Sequence, residues 1–290
     1  MDTTPLLESH LRRLNLPVFA QQYAQVADEA ARANLSYERF LLLLAEQELT
    51  QREAVRQRHC IKAARFPVLK ELADFDFQAI PTLNRARIVE LARGHYLARA
   101  ETILLIGNPG LGKTHIATGL ALAACRQLKR VRFYTAAALV NELLAAQAEQ
   151  RLGRLIATAL RHQLIVLDEL GFLPLSPSGA QLLFQFCSAL HERVALIVTT
   201  NLRFADWVQV FGSESLTAAL LDRLTARAHI LEFVGESFRL RQRQRREEAG
   251  WLNDLPIPRE AAPPAVVGAA SRPAGRDAAP TTGPSPHPSD

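Results

Sequence analysis

Ile103-Leu104-Leu105-Ile106 runs straight into Gly107-Asn108-Pro109-Gly110-Leu111-Gly112-Lys113-Thr114, and these two segments decide the fold. The second satisfies G-x-x-x-x-G-K-[ST] at every fixed position, a spacing with a physical reason. Gly107, Gly110 and Gly112 let the backbone curl so that successive N–H groups point inward at phosphate oxygens. The apolar run ahead predicts a buried strand, and Ile116, Leu120 and Ala124, four apart, predict one face of a helix behind. That helix brings its positive N-terminal end to the phosphates. Lys113 supplies a mobile cation for the outer phosphates of a nucleotide, and the Thr114 hydroxyl is placed to ligate magnesium. His115 completes the candidate nucleotide-binding run. A glycine turn beside a surface lysine is the competing reading, and it explains neither the strand nor the helix.

The chain of 290 residues is long enough for one large domain and a smaller one, and at 48% hydrophobic it can bury a sizeable core. Lys and Arg number 34 against 29 Asp and Glu, a formal net charge of +5 that permits a polyanionic partner without requiring one. Cys60, Cys125 and Cys187 show no C-x-x-C spacing and cannot form a fully paired disulfide set. Met1 to Pro5 lacks the basic start and apolar run of a secretion signal. No stretch approaches the ~18 apolar residues of a membrane span. These features predict a cytoplasmic protein with no membrane partner.

Four regions follow from composition and period. Residues 1–65 read as a small helical domain: Leu7, Leu11 and Leu14 repeat at helical spacing, Pro17 ends that segment, and Ser36 caps the next helix. Residues 66–100 form a connector, broken at Phe66-Pro67 and helical from Leu83 to Ala98. From 101 to 250 short apolar runs alternate with helical stretches. The runs Ile103–Ile106, Val131–Tyr134, Leu164–Leu167, Leu196–Val198 and His229–Phe233 predict an α/β fold, a five-stranded parallel sheet covered on both faces. Residues 256–290 hold nine of the sixteen prolines and no Leu, Phe, Tyr or Trp, which predicts a disordered tail.

The rest of the candidate site lies at strand ends. Leu164-Ile165-Val166-Leu167-Asp168-Glu169 is an apolar strand ending in two carboxylates. Asp168 falls where a phosphate-loop NTPase holds magnesium, and Glu169 is then the base that orients and deprotonates water. An ordinary exposed turn after a strand is the alternative. Leu196-Ile197-Val198-Thr199-Thr200-Asn201 ends a further strand, expected between the loop strand and the Asp-Glu strand, so Asn201 points at the γ-phosphate or its water, or else caps a helix or turn. Arg223, in Leu220-Leu221-Asp222-Arg223-Leu224, is a candidate arginine finger for a neighbouring subunit. A surface pair with Asp222 competes with that reading, and Arg227 is the substitute candidate.

At this point the residues resemble a known family, the AAA+ ATPases of the DnaA/DnaC branch, and within it the IstB-like helper ATPases of insertion-sequence transposition. The resembling pieces include Tyr37-Glu38-Arg39-Phe40, Ala63-Ala64-Arg65-Phe66-Pro67, Phe75-Asp76-Phe77, the glycine loop, Leu167-Asp168-Glu169-Leu170-Gly171-Phe172-Leu173-Pro174-Leu175, Thr199-Thr200-Asn201-Leu202, Leu221-Asp222-Arg223-Leu224 and Gly235-Glu236-Ser237-Phe238-Arg239. The resemblance spans about residues 5 to 246 and leaves out the tail. It implies ATP and Mg2+ as ligands, ATP hydrolysis, ATP-dependent self-association on double-stranded DNA, and a transposase encoded by the same element as partner. The loop departs from the usual pattern at Asn108 and Leu111, positions that present backbone. A C-terminal lid domain is not expected, since few residues separate Phe233 from the proline-rich tail.

Two basic runs bear on the DNA expectation. Arg52, Arg56, Arg58, Lys62 and Arg65 form the first, with Lys70 beyond them and Glu53 the lone acid. Arg52 and Arg56, and Arg58 and Lys62, are each four apart on a helix face. Arg239, Arg241, Arg243, Arg245 and Arg246 form the second. Phosphate contacts from such groups give salt-sensitive, sequence-independent binding, whereas a solvated helix face gives none. A DnaC-like helicase loader is the competing function within the same fold. A small-molecule kinase and a non-catalytic scaffold fit the Asp168-Glu169 pair less well.

Overall fold

The computed structural model describes residues 4–235 and Ser237. The predicted tail and the second basic run lie outside the described residues. Helices α1 (Thr4–Arg13), α2 (Pro17–Arg32) and α3 (Tyr37–Ala64) come first. Pro17 does not merely end a helix but opens α2 at its first turn, where a missing N–H costs nothing. Ser36 caps α3 by accepting from the Arg39 N–H at 3.3 Å. Two 3-10 turns, Leu72–Asp74 and Phe77–Ala79, lead to α4 (Arg85–Ala92) and α5 (His95–Ala98). The single helical run expected from Leu83 to Ala98 is divided at Gly94, whose φ of 83° is left-handed.

The remainder alternates: β1 (Thr102–Gly107), α6 (Lys113–Arg126), β2 (Val131–Thr135), α7 (Ala136–Ala148), α8 (Leu152–Ala159), β3 (Leu164–Leu170), α9 (Pro177–Leu190), β4 (Ala195–Thr200), α10 (Val208–Phe211), α11 (Glu214–Thr225) and β5 (Ala228–Phe233). The five strands form one parallel sheet in the order β2-β3-β4-β1-β5. Each predicted run lies within a strand that extends it by one to three residues.

Side chains alternate across the sheet. Ile103, Leu105, Leu164, Val166 and Ile197 enter a cluster that also holds Ile116 and Leu120 of α6, Ile88 of α4 and Ala64 of α3. Leu104, Ile165, Leu167, Leu196 and Val198 enter the opposite cluster with Leu139 and Leu143 of α7, Leu183 and Phe186 of α9 and Leu220 of α11. Both faces are therefore apolar, which is why the central strands read as unbroken hydrophobic runs. α3 is part of this architecture: Cys60, Ile61 and Phe66 pack on the first cluster, and the Phe66 ring meets Phe133 of β2 edge-on at 6.0 Å. Among the described residues no helix is long and apolar enough to cross a membrane.

Candidate functional site

The glycine loop leaves β1 at Gly107, where φ is 149° and a Cβ would strike the Phe233 carbonyl of the adjacent strand β5. Gly110 and Gly112 are left-handed, at φ 83° and 82°, and a Cβ on either would meet Ser237 or the Phe75 ring. α6 begins at Gly112 with no side-chain cap, whereas α7, α9 and α11 are capped by Thr135, Ser176 and Ser213. The open first turn leaves N–H groups for an anion, as a phosphate site requires. Lys113 is nine-tenths buried, and its Nζ donates to the carbonyls of Gly107 (2.6 Å) and Asn108 (2.8 Å). A phosphate oxygen is a stronger acceptor for an ammonium than a neutral carbonyl.

Beside the loop lies a cavity of about 330 Å³, lined by Gly110, Leu111, Gly112, Lys113, Thr114 and His115 on one side. Lys70, Asp74, Phe75, Asp76, Ala79 and Ile80 close the other. The His115 ring is tied to this wall: its Nε2 is 2.7 Å from the Glu71 carbonyl and its ring lies edge-on to Phe75 at 5.3 Å. Asp74, Phe75 and Asp76, read from sequence as part of the connector and, for Phe75 and Asp76, of the family resemblance, thus line this cavity.

The strand tips converge next to it. Because β4 lies between β1 and β3, as expected, its C-terminal end sits beside both the loop and the Asp-Glu strand. Asp168 is buried at 3% exposure. Its Oδ1 accepts from the Thr114 hydroxyl (3.0 Å) and from the Thr199 hydroxyl (2.5 Å). The Thr199 oxygen in turn accepts from the Glu169 N–H at 2.9 Å. Thr199 was not singled out from sequence, and a threonine at the end of a buried strand was the available signal. Pairing between β3 and β4 shifts between Leu167 and Leu170, and Glu169 sits in this irregularity with a left-handed φ of 60° and an exposed side chain. A non-glycine residue held in that region costs roughly 1–2 kcal/mol, and it turns Glu169 out of the strand while Asp168 stays in. Asn201 directly follows β4 and is half-buried.

The donor set fits magnesium and a nucleotide. A hydroxyl and a carboxylate oxygen already within 3.0 Å can share one hard cation, and the uncapped helix and glycine loop offer N–H groups to phosphates.

The arginines are placed differently. Arg223 Nη1 donates to the Ala219 carbonyl at 2.7 Å, and its guanidinium lies over the Phe184 ring at 5.0 Å. It forms no ion pair with Asp222 or any other described residue, while Arg227 lies 3.9 Å from Glu192. Of the five residues of the first basic run, Arg52 is engaged internally: Nε binds Glu48 at 2.7 Å and Nη2 the Asn15 carbonyl. The same Glu48 accepts from the Val18 N–H at 2.9 Å, so Arg52 pins α3 to the α1–α2 turn. Arg56, Arg58, Lys62 and Arg65 are exposed. Arg56 and Arg58, two residues apart, project about 200° apart around the helix, so the two basic pairs occupy opposite flanks.

Residues 9–246 match the profile of the family described as IstB-like ATP binding protein. A protein of insertion sequence IS5376 from Geobacillus stearothermophilus, assigned as ATP-binding, is 35% identical over 242 residues, covering 83% of this chain and 96% of that protein. One of insertion sequence IS21 from Pseudomonas aeruginosa is 35% identical over 253 residues, covering 87% and 94%. Among solved structures, DnaI aligns with a TM-score of 0.48 at 17% identity, covering 61% of this chain and 94% of that one. The replication initiator DnaA bound to AMPPCP and single-stranded DNA aligns at 0.48 and 17%, covering 62% and 55%.

Proposed function

The chain belongs to the family of IstB-like ATP-binding proteins, and on that premise we propose that it hydrolyses ATP to assist a transposase on DNA. It assembles as an ATP-dependent oligomer on double-stranded DNA, and the transposase of the same element is its protein partner. The observation that carries the hydrolytic part is the network Thr114–Asp168–Thr199–Glu169. It supports this reading because it holds one buried carboxylate beside the Thr114 hydroxyl and leaves the Glu169 side chain exposed.

In this reading the loop N–H groups and Lys113 hold the phosphates, and Thr114 with Asp168 holds magnesium. Bound magnesium would neutralise charge on the phosphate oxygens. Glu169 takes the proton of the attacking water, and Asn201, at the tip of β4, orients that water or a phosphate oxygen. The half-buried Arg223 serves a neighbouring subunit's site. Arg56, Arg58, Lys62 and Arg65 contact backbone phosphates. A cytoplasmic location follows from the proposed partners.

Glu169→Gln tests the assignment. ATP affinity in a binding titration should stay within about twofold, while phosphate release falls by about 10² or more, the usual worth of a positioned base. Parental turnover by this variant would leave Glu169 a surface acid at a strand end.

A further inference from the structure

The outermost strand and the segments beside it carry a set of basic residues that the nucleotide site does not use. Among the described residues β2 pairs with β3 alone, so its other edge is open. Arg132 stands on the same face as Tyr134, with its guanidinium 4.8 Å from the ring centroid. The Arg132 Nε is buried and has no hydrogen-bond partner. Arg130, exposed in the turn into β2, exchanges backbone and side-chain bonds with Gln163 at the start of β3. His162 precedes Gln163; burial lowers its pKa, and the charges of Arg132 and Arg130 lower it further against hydrogen bonds at Ala159 and Thr158 that raise it. Arg65, at the end of α3, reaches the same edge from the other face of the sheet, where Tyr134 feels it together with Arg132. The carboxylate facing this group is Glu142 of α7. Among the described residues, none of Arg65, Arg130, Arg132 and Arg161 forms an ion pair.

We infer that the open edge of β2, through Arg65, Arg130, Arg132 and His162, is a second contact for the backbone of double-stranded DNA. The inference rests on the DNA-binding reading above and extends it from α3 onto the ATPase sheet. Like charges that outnumber the facing carboxylate, Glu142, raise the local potential, and a polyanion relieves it. The Arg132 guanidinium lies 4.8 Å from the Tyr134 ring centroid and shares a side-chain hydrogen bond with Tyr134, which fixes its planar fork at this edge for a phosphate. Duplex is favoured over single strands because the aromatic rings here, Phe133 and Tyr134, are buried and give bases no platform for stacking. Basic residues on an edge strand also discourage strand-to-strand association, and that role has a different signature.

The test is a salt titration of the full chain with ATP on a random-sequence duplex, read by fluorescence anisotropy. Arg130→Gln with Arg132→Gln should lower the slope of log affinity against log salt by about 1.8, at about 0.9 per lost phosphate contact. ATP affinity should not change. Arg132→Lys, which keeps the charge and loses the fork, should keep the slope and weaken binding. If Arg132→Gln does not fold, Arg65→Gln with Arg130→Gln, both at exposed positions, carries the same expectation. Parental affinity and slope in a folded variant overturn the inference, as does a variant that merely aggregates more or that loses an acidic peptide rather than duplex. A parental chain that binds no duplex at any salt removes the DNA reading itself. Parental binding with unaffected variants removes only the β2 contact.

Discussion

Thr199 holds two neighbouring carboxylate residues with one hydroxyl, donating to Asp168 and accepting from the Glu169 N–H. Thr199→Val keeps the shape and removes both bonds, leaving a buried donor unmet at a cost of about 1–3 kcal/mol. ATP should still bind, while the magnesium concentration for half-maximal turnover rises and turnover falls by about tenfold or more. Thr199→Ser should recover most of it. A magnesium titration that superposes on the parental curve would leave the threonine as packing only. Lys113 and Thr114 were legible because their partners lie within one local motif. Thr199 was not, because threonine suits any buried strand and only pairing of β4 with β3 brings it to Asp168. The contact between His115 and Phe75 was hidden for the same reason: 40 positions of sequence separate two rings that touch.

Among the elements, the strands were legible and the helix ends less so. A strand buried on both faces writes itself as an apolar run, but Pro17 has two meanings, and the structure chose the opening of α2 over a simple stop. Where β1 hands over to the loop, Gly107 sits against the β5 backbone. Gly107→Ala should therefore cost about 1–3 kcal/mol from overpacking and strain, and it should weaken ATP binding because the loop must shift. Urea unfolding and a nucleotide titration read the two effects; a variant parental in both would place the strands farther apart than described. On α3 the engaged Arg52 and the exposed pair Arg58 and Lys62 are expected to differ in role. Arg58→Gln with Lys62→Gln should lower the salt slope for duplex binding by about 1.8 if both meet phosphates. Arg52→Gln should instead lower the melting temperature, since it cuts the link to Glu48 and Asn15. A salt titration and a thermal melt distinguish the two, and reversed outcomes would exchange the assignments.

For the whole molecule, hydrolysis is expected to depend on assembly. Arg223 keeps its charge uncompensated by any carboxylate among the described residues, while Arg227 faces Glu192. Arg223→Ala should bind ATP and hydrolyse it poorly, by about 10³-fold if the arginine acts in trans as fingers do elsewhere. Mixing Arg223→Ala chains with Lys113→Ala chains should restore part of the DNA-stimulated turnover, because each supplies what the other lacks. No recovery, with each chain still able to assemble, would confine the arginine to its own subunit. From sequence Arg223 could equally be read as a surface partner of Asp222; its orientation over Phe184 came from packing that no local pattern encodes. One further property follows from α3, an uninterrupted helix of 28 residues whose far end is built into the sheet. At 1.5 Å per residue it is a rod about 42 Å long, so a tilt of ~5° at its seat swings its opposite tip by about 4 Å. Any such tilt at the seat on α6 would thereby be magnified at Tyr37, as at the end of a lever.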